Sequence, residues 1–170
     1  HYHSFYGTPW LEPKNLHQAR CFARDAFDIS EHLSTPVVIR ITNLLTRRGA
    51  PAFPNVAYCH RPTLSFKRTP ESFVVHPSYH MTQLKELKRK QDLFQEWSMT
   101  LCETNNNPPD PDKNGFVRFI AGAAHIKNEE ESSWTNIHLP CLPLPRQWIL
   151  DRVRSAKRIQ ICEHGDPLVY

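Results

Sequence analysis

The sequence predicts an α/β fold with two small layers of parallel strands, on three observations. An amphipathic helical stretch ending at Leu33 is followed directly by the β-branched run Val37–Thr42. Segments typical of strands and helices then alternate over Phe116–Glu163. Between these regions Glu103–Asn114 contains three prolines and no large apolar side chain. Alternating strands and helices favour parallel sheets covered by helices, and the proline-rich stretch predicts a boundary between two layers.

The first helix has a recognisable start and stop. Asn15 is a candidate N-cap, and Gln18 stands three residues later, as a capping box requires. Apolar residues recur at helical spacing from Leu16 to Leu33. Pro36 ends the helix, because it has no N–H group and disfavours the α conformation at Thr35.

The run Val37–Thr42 is predicted to be a strand buried on both faces, as is typical of parallel sheets under helices. It would be the second half of a β-α-β unit. The strand before the helix would then lie before residue 1 or within the first few residues.

The middle of the chain predicts a long connecting helix. Val56–Cys59 is a candidate edge strand, and Glu71–Pro77 an extended segment that Pro77 ends. Ser78 would cap a helix over Tyr79–Met99, stabilised on its surface by a Glu86–Lys90 pair. The asparagines of the linker after this helix are interpreted as a solvated loop.

The C-terminal region predicts three strands and two helices in alternation, with right-handed crossovers. The strands are Phe116–Ala121, Trp134–Leu139 and Arg158–Glu163, and the helices are Ala123–Glu131 and 146–155.

Composition excludes several function classes. Five glycines in 170 residues form neither of the common glycine-rich phosphate motifs. The net charge of +4 is mild, and the basic run Lys85–Lys90 is interpreted as a solvated helix face rather than a nucleic-acid surface. No apolar run approaches the about 20 residues that a membrane-spanning helix needs.

The five cysteines are dispersed, which excludes local zinc knuckles and iron–sulfur motifs. Their odd number favours free thiols in a reducing cytoplasm. His76 and His80 are spaced as metal ligands on a helix would be, but the sequence offers no third ligand nearby. Because the first residue is His1, the chain is interpreted as processed or as a piece of something longer.

A candidate substrate-binding site lies at the carboxyl end of the Val37–Thr42 strand. Arg40 and Thr42 share one face of that strand, and Arg47 and Arg48 follow in the next loop. Ligands of open α/β sheets bind beyond this end, and guanidinium groups pair with carboxylate or phosphate. The alternative is a structural strand arginine followed by two solvated cations.

Glu163, His164 and Asp166 lie at the carboxyl end of the third C-terminal strand in the same way. They suggest a Glu–His pair, although adjacent residues of an extended strand point apart.

Three stretches, in order along the chain, resemble a known enzyme family. They are Leu11–Thr42, then Pro70–Pro77 with the charged helix that follows, and finally Asn114–Ala124 with Pro143–Pro145 and Arg158–Pro167. Together they are similar to an internal part of the large subunit of indolepyruvate-type 2-oxoacid:ferredoxin oxidoreductases. The resemblance implies that residues 1–102 are the end of a pyrimidine-binding-type thiamine diphosphate domain plus a connector helix. Residues 103–170 would be part of a transketolase C-terminal-like domain.

The resemblance implies oxidative decarboxylation of a 2-oxoacid to an acyl-CoA, with electrons passed to ferredoxin. Thiamine diphosphate, Mg²⁺ and iron–sulfur clusters are implied for the parent enzyme, but none of the family's motifs for binding them lies in this chain. Other segments or subunits, ferredoxin and CoA are the implied partners, with no nucleic acid or membrane.

The chain departs from the family in the loop after the Val37–Thr42 strand. The family has there an arginine that can contact the substrate carboxylate, and Leu44 occupies that position. Arg47 or Arg48 would have to replace it from a shifted loop. The alternative interpretation is a non-catalytic scaffold or interaction module of the same ancestry.

Overall fold

Strand β1, Trp10–Leu11, helix α1, Leu16–Leu33, and strand β2, Val38–Ile39, form a β-α-β unit near the start of the chain. A computed structural model describes residues 7–47, 68–106, 115–124 and 134–163. β1 and β2 are parallel, which confirms the predicted β-α-β unit. Its first strand lies at residues 10 and 11, later than the sequence suggested.

Helix α1 is capped at both ends. The Asn15 side chain accepts a hydrogen bond from the Gln18 backbone N–H at 2.8 Å, as predicted. The Gln18 side chain accepts in turn from the Lys14 N–H rather than from the cap residue itself. Ser34 ends the helix in the left-handed conformation, with φ of 46°.

Strand β2 is shorter and more exposed than predicted. Only Val38 and Ile39 pair as a strand, and Ile41 is 52% exposed. The expectation of burial on both faces is wrong because β2 is an edge strand that pairs with β1 alone. Thr42 instead begins the short helix α2, Asn43–Thr46, in the segment expected to be a loop.

The segment expected to be extended over Glu71–Pro77 begins with a short helix, α3, Pro70–Phe73. Pro70 stands at its first position, where a missing N–H costs nothing. Helix α4, Pro77–Thr104, is longer than the predicted Tyr79–Met99. Pro77 starts this helix rather than ending the segment before it, and His76, not Ser78, is its cap.

The C-terminal region forms an all-parallel sheet in the order β4-β3-β6. Its strands are β3, Phe116–Ala121, β4, Thr135–Leu139, and β6, Arg158–Cys162, and helix α5, Arg146–Arg154, precedes β6. These elements confirm the predicted strands and the second predicted helix. The predicted strand Val56–Cys59 and most of the predicted helix Ala123–Glu131 lie outside the described residues.

The two regions share one sheet and one core. Strand β5, Cys141–Leu142, pairs antiparallel with β1, so the first sheet has the order β2-β1-β5. Buried residues from both regions, including Phe22, Phe94 and Phe119, belong to one hydrophobic cluster. The α/β class is confirmed, but the expectation that each layer contains only parallel strands is wrong for β5. The division at residues 102 and 103 stays a prediction.

Two asparagines after α4 are structural rather than solvated. Asn105 Oδ1 accepts a hydrogen bond from the Gln18 side chain at 2.6 Å. The Asn106 side chain donates to the His138 carbonyl and accepts from the His138 N–H, at 2.9 and 2.6 Å. These bonds attach the end of α4 to α1 and to β4. In the part of the chain that the structure describes, no helix is long and apolar enough to span a bilayer.

Candidate functional site

Residues that follow four different strands converge where the two sheets meet. Glu12 follows β1, Arg40 follows β2, Gly122 follows β3 and Glu163 follows β6. Together with His138 of β4 they define what we call the carboxyl-end junction. Ligands of open α/β sheets bind beyond the carboxyl ends of strands, so this is the place in the fold where a site is expected.

An ion pair between Glu12 and Arg40 lies at the centre of the junction. Arg40 Nη1 is 3.1 Å from Glu12 Oε1, and the two side chains are 21% and 5% exposed, Arg40 being the more exposed. Backbone bonds hold both residues in place. The Arg40 N–H donates to the Leu11 carbonyl at 2.9 Å, and the Glu12 N–H donates to the Pro140 carbonyl at 2.8 Å. The pair thus joins β2, β1 and the segment before β5.

Gly122 forms the wall against which Glu12 packs. Its φ is +56°, a conformation that residues with a side chain rarely adopt. A Cβ atom there would lie 2.7 Å from both Glu12 Cγ and Oε1. The glycine therefore allows the carboxyl group to approach the backbone at the end of β3.

Burial raises the pKa of Glu12 from 4.5 to about 7. Arg40 opposes the increase by stabilising the charged form, and the negative charge of Glu163 adds to it. Since the effect of burial outweighs the ion pair, Glu12 exchanges a proton near neutral pH. When it is protonated, the guanidinium of Arg40 loses its anionic partner in this pair.

His138 is buried within reach of the Gly122 backbone. Burial lowers its pKa from 6.5 to about 4, the positive charge of Lys14 adds to the decrease, and the Gly122 backbone opposes it weakly. Neither ring nitrogen has a hydrogen-bond partner of good geometry. His138 is therefore neutral near pH 7, and the junction combines a neutral imidazole with a carboxyl group that is partly protonated.

The residues predicted to bind a substrate have different surroundings where the structure describes them. Arg40 lies in the junction and is paired with Glu12. Thr42 is buried, with no hydrogen-bond partner for its hydroxyl, while Arg47 is exposed at the end of α2. Arg48 lies outside the described residues, as do His164 and Asp166 of the other predicted site. A role for these residues in substrate binding stays a prediction.

The sequence alone does not identify Glu12, Gly122 and His138 as members of a site. Glu12 stands in an extended segment between two prolines, and nothing local indicates that it is buried. The sequence feature that could have identified them is their position at the ends of strands. Gly122 ends a predicted strand, and the rule that places Arg40 at a carboxyl end applies equally to Glu12 once β1 is known.

The side chains that the structure describes do not fit the iron–sulfur clusters that the family resemblance implies for the parent enzyme. Within the described residues no group of three or more His, Cys, Asp or Glu side chains could hold a metal ion. Cys102 and Cys141 are buried together, and the hydrogen bond between them is the main cause of the raised pKa of Cys141. A thiol that retains its proton is a poor ligand for a cluster, which is held by several thiolates.

The protein is thus an α/β chain whose polar residues gather at the carboxyl ends of strands from two sheets. It is similar to the indolepyruvate oxidoreductase subunit IorA of Archaeoglobus fulgidus, with 26% identity over 174 residues. That match covers 95% of this chain but 26% of IorA, so the chain spans about a quarter of the length of this curated relative. The chain is therefore related in sequence to an oxidoreductase subunit.

No family model matches the chain, and no solved structure matches it. The relationship to the oxidoreductase rests on the similarity to IorA along nearly the whole chain.

Proposed function

We propose that this chain is a segment of a thiamine diphosphate-dependent 2-oxoacid:ferredoxin oxidoreductase of the indolepyruvate type. The observation that carries the proposal is the match to an indolepyruvate oxidoreductase subunit over 95% of the chain. Residues 1–102 would contain the end of a pyrimidine-binding-type domain and the connector helix. Residues 103–170 would belong to a transketolase C-terminal-like domain.

In this proposal the parent enzyme oxidatively decarboxylates an arylpyruvate-type 2-oxoacid to an acyl-CoA and transfers the electrons to ferredoxin. Thiamine diphosphate, Mg²⁺ and the iron–sulfur clusters are held by other parts of the parent. The chain contributes part of the substrate-pocket wall and surfaces for neighbouring segments or subunits. We expect no catalytic activity from the segment by itself.

Arg40 is the candidate to bind the substrate carboxylate. It lies at the carboxyl end of β2, while Leu44 stands at the position where the resembled family has an arginine. Because Glu12 has a pKa of about 7, protonation of Glu12 removes one anionic competitor for the Arg40 guanidinium and so favours pairing with a substrate carboxylate. Thr42, Arg47 and Arg48 are the other residues proposed to contact the substrate.

The activity is tested on the complete protein. Titration with thiamine diphosphate and Mg²⁺ should give saturable binding, and indolepyruvate with CoA should then reduce ferredoxin. Absence of cofactor binding by the complete protein would refute the enzyme proposal.

The role of Arg40 is tested by Arg40→Met in the same assay. We expect KM for the 2-oxoacid to rise about tenfold or more, with a smaller effect on kcat, since a lost carboxylate contact removes binding energy. Arg24→Met, at an exposed arginine on α1, is the matched control and should leave KM unchanged. Equal KM values for the two variants would exclude Arg40 from the pocket.

The second candidate is a non-catalytic scaffold of the same ancestry. Leu44 and the absence of cofactor motifs from this chain favour it. The mass of the source polypeptide separates the two proposals. A species near 19.8 kDa supports the scaffold, and one about three to four times larger supports the enzyme subunit.

A further inference from the structure

Helix α4 extends beyond the core that it helps to form. It has 28 residues, which corresponds to a length of about 42 Å. Its C-terminal half is anchored by Phe94, Ser98 and Cys102, each at most 1% exposed. Its N-terminal half has no buried residue among those described.

The apolar stripe of α4 continues along this exposed half. Leu84 and Leu87 precede Gln91 and Phe94 at steps of three and four residues, so they lie on the same side of the helix as the buried anchors. Yet Leu84 is 47% exposed and Leu87 is 38% exposed. A stripe that keeps its helical register beyond the core is typical of a helix face that packs against a further element.

More apolar surface is fixed at the same end of the helix. The Gln83 side chain donates hydrogen bonds to the carbonyls of Glu71 and Val74, both at 2.9 Å, and so attaches α3 to α4. Phe73 and Val75 in that segment are 71% and 96% exposed, and Met81 on α4 is 64% exposed. Exposed apolar surface gathered in this way marks an interaction site in a soluble protein. We define the overhanging face as Phe73, Val75, Met81, Leu84 and Leu87.

In the stretch Lys85–Lys90 beside this face, four of the five charged side chains are positive, and not all of the positive ones form ion pairs. Arg89 is neutralised by Glu86 at 2.6 Å, and Lys90 donates to the Ser34 carbonyl at 2.7 Å. Lys85 and Lys88 are exposed and form none of the ion pairs that the structure describes. A second copy of the same face would bring like charges together, which disfavours self-association.

We propose that the overhanging face docks an acidic amphipathic helix from outside these 170 residues. Apolar side chains of that helix cover Leu84, Leu87 and Met81, while its carboxylates pair with Lys85 and Lys88. This inference rests on the proposed function, in which neighbouring segments or subunits surround the chain. It identifies where one of them binds and the sign of its charge.

The two methionines of the chain provide a test in the native assembly. Met81 is 64% exposed and lies on the overhanging face, whereas Met99 is 43% exposed on the same helix. Hydrogen peroxide converts exposed methionine to the sulfoxide, which mass spectrometry of peptides measures at each position. Exposure in this chain alone predicts faster oxidation of Met81, and docking predicts the reverse.

In the complete protein, purified in its native assembly, we expect Met81 to be oxidised at least about tenfold more slowly than Met99. Replacing Lys85 and Lys88 by Glu should raise the Met81 rate towards that of Met99, because it removes the charge complementarity. Lys157→Glu, at an exposed lysine outside this helix, is the matched control and should have no effect. Oxidation of Met81 at a rate equal to or above that of Met99 would overturn the proposal.

Dilution distinguishes the acidic helix from a second copy of the chain. Protection of Met81 that disappears when the protein is diluted to its monomer, and that replacing Lys85 and Lys88 by Glu does not reduce, identifies a second copy of this face as the occupant and refutes the acidic helix. Protection that persists in the monomer supports a helix of the same polypeptide.

Cofactor titration and ferredoxin reduction are measured on the same preparation, so that the docking and the proposed function can fail separately. An active enzyme with an unprotected Met81 refutes the docking alone. Protection of Met81 in a protein that binds no thiamine diphosphate refutes the proposed function alone.

Discussion

The two sheets that the structure describes are stabilised in different ways. The β4-β3-β6 sheet has strands of five or six residues in continuous parallel register. The β2-β1-β5 sheet has strands of two residues each, too short to be stable by their backbone hydrogen bonds alone. The short sheet therefore depends on side chains and helices around it, and on the core that it shares with the longer one.

The largest expected effect tests whether the sheets depend on that shared core. Phe94 is 1% exposed and belongs to the cluster that both regions build. Phe94→Ala should lower the free energy of unfolding by about 3–5 kcal/mol, because it leaves a large cavity. Amide NMR signals from β1 and β3 should disappear together at a lower urea concentration. Met99→Ala, at an exposed site on the same helix, should change stability by at most about 0.5 kcal/mol, and separate transitions of the two strands would contradict a shared core.

The second prediction concerns the ion pair beside the short sheet. Because the folded-state pKa of Glu12 is raised, its contribution to stability is fully present below pH 4.5 and is lost as the pH rises through about 7. Between pH 4.5 and about 7 the free energy of unfolding should fall by about 3 kcal/mol. Glu12→Gln should remove this pH dependence. Urea unfolding of both proteins between pH 4 and 8 measures the difference.

Glu86→Gln is the control with the opposite sign. The hydrogen bond from Arg89 lowers the pKa of Glu86, so its contribution is present above pH 4.5 and is lost as the pH falls. His138 also makes the protein less stable as the pH falls, because its pKa is lowered in the folded state. Its contribution to stability is present above pH 6.5 and is lost as the pH falls through about 4. A wild-type profile that Glu12→Gln leaves unchanged would show that Glu12 keeps an ordinary pKa.

The third prediction tests the contact between the sheets at Gly122. Gly122→Ala should lower the free energy of unfolding by about 2–3 kcal/mol, since the new Cβ meets Glu12 in a left-handed backbone conformation. Gly115→Ala is the matched control. It has a similar φ of +72°, but its Cβ would meet the flexible Lys157 side chain at 3.2 Å, so only the backbone strain of about 1 kcal/mol should remain. Equal losses in thermal or urea unfolding would mean that the Glu12 contact contributes nothing.

The smallest expected effect is a gain in stability next to the short sheet. Ser34 ends α1 with φ of 46°, a conformation that glycine adopts without steric cost. Ser34→Gly should raise the free energy of unfolding by about 0.5–1 kcal/mol. The Lys90 bond should persist because it uses the backbone carbonyl of Ser34. Ser155→Gly, at the α5 cap with φ of −92°, should give no such gain, and a loss at Ser34 would show that its side chain contributes to the cap.

The sequence predicted local features better than contacts between distant segments. The Asn15 cap, the end of α1 at Leu33 and the positions of strands β3, β4 and β6 follow from residues close in sequence. The pairing of β1 with β5 could not be predicted, because two-residue strands have no measurable periodicity. The burial of Glu12 could not be predicted either, because it depends on elements about 110 residues further along the chain.

The candidate site was predicted in part. The rule that ligands bind at the carboxyl ends of strands placed Arg40 in the right region. It did not reveal that Glu12 is its partner, nor that Thr42 and Arg47 lie in different surroundings, one buried and one exposed. The different surroundings of Thr42 and Arg47 depend on the segment after β2, which forms a short helix and not the expected loop.

The antiparallel pairing of β5 with β1 has a consequence for synthesis of the protein. During translation the short sheet consists only of Trp10–Leu11 and Val38–Ile39 until Cys141 and Leu142 have left the ribosome. A sheet of two such short strands is only marginally stable. The N-terminal segment therefore becomes stably folded only after β5, a distant part of the same molecule, has been synthesised. A nascent chain arrested before Cys141 would expose Leu11 and Phe22, which is apolar surface of the kind that chaperones bind.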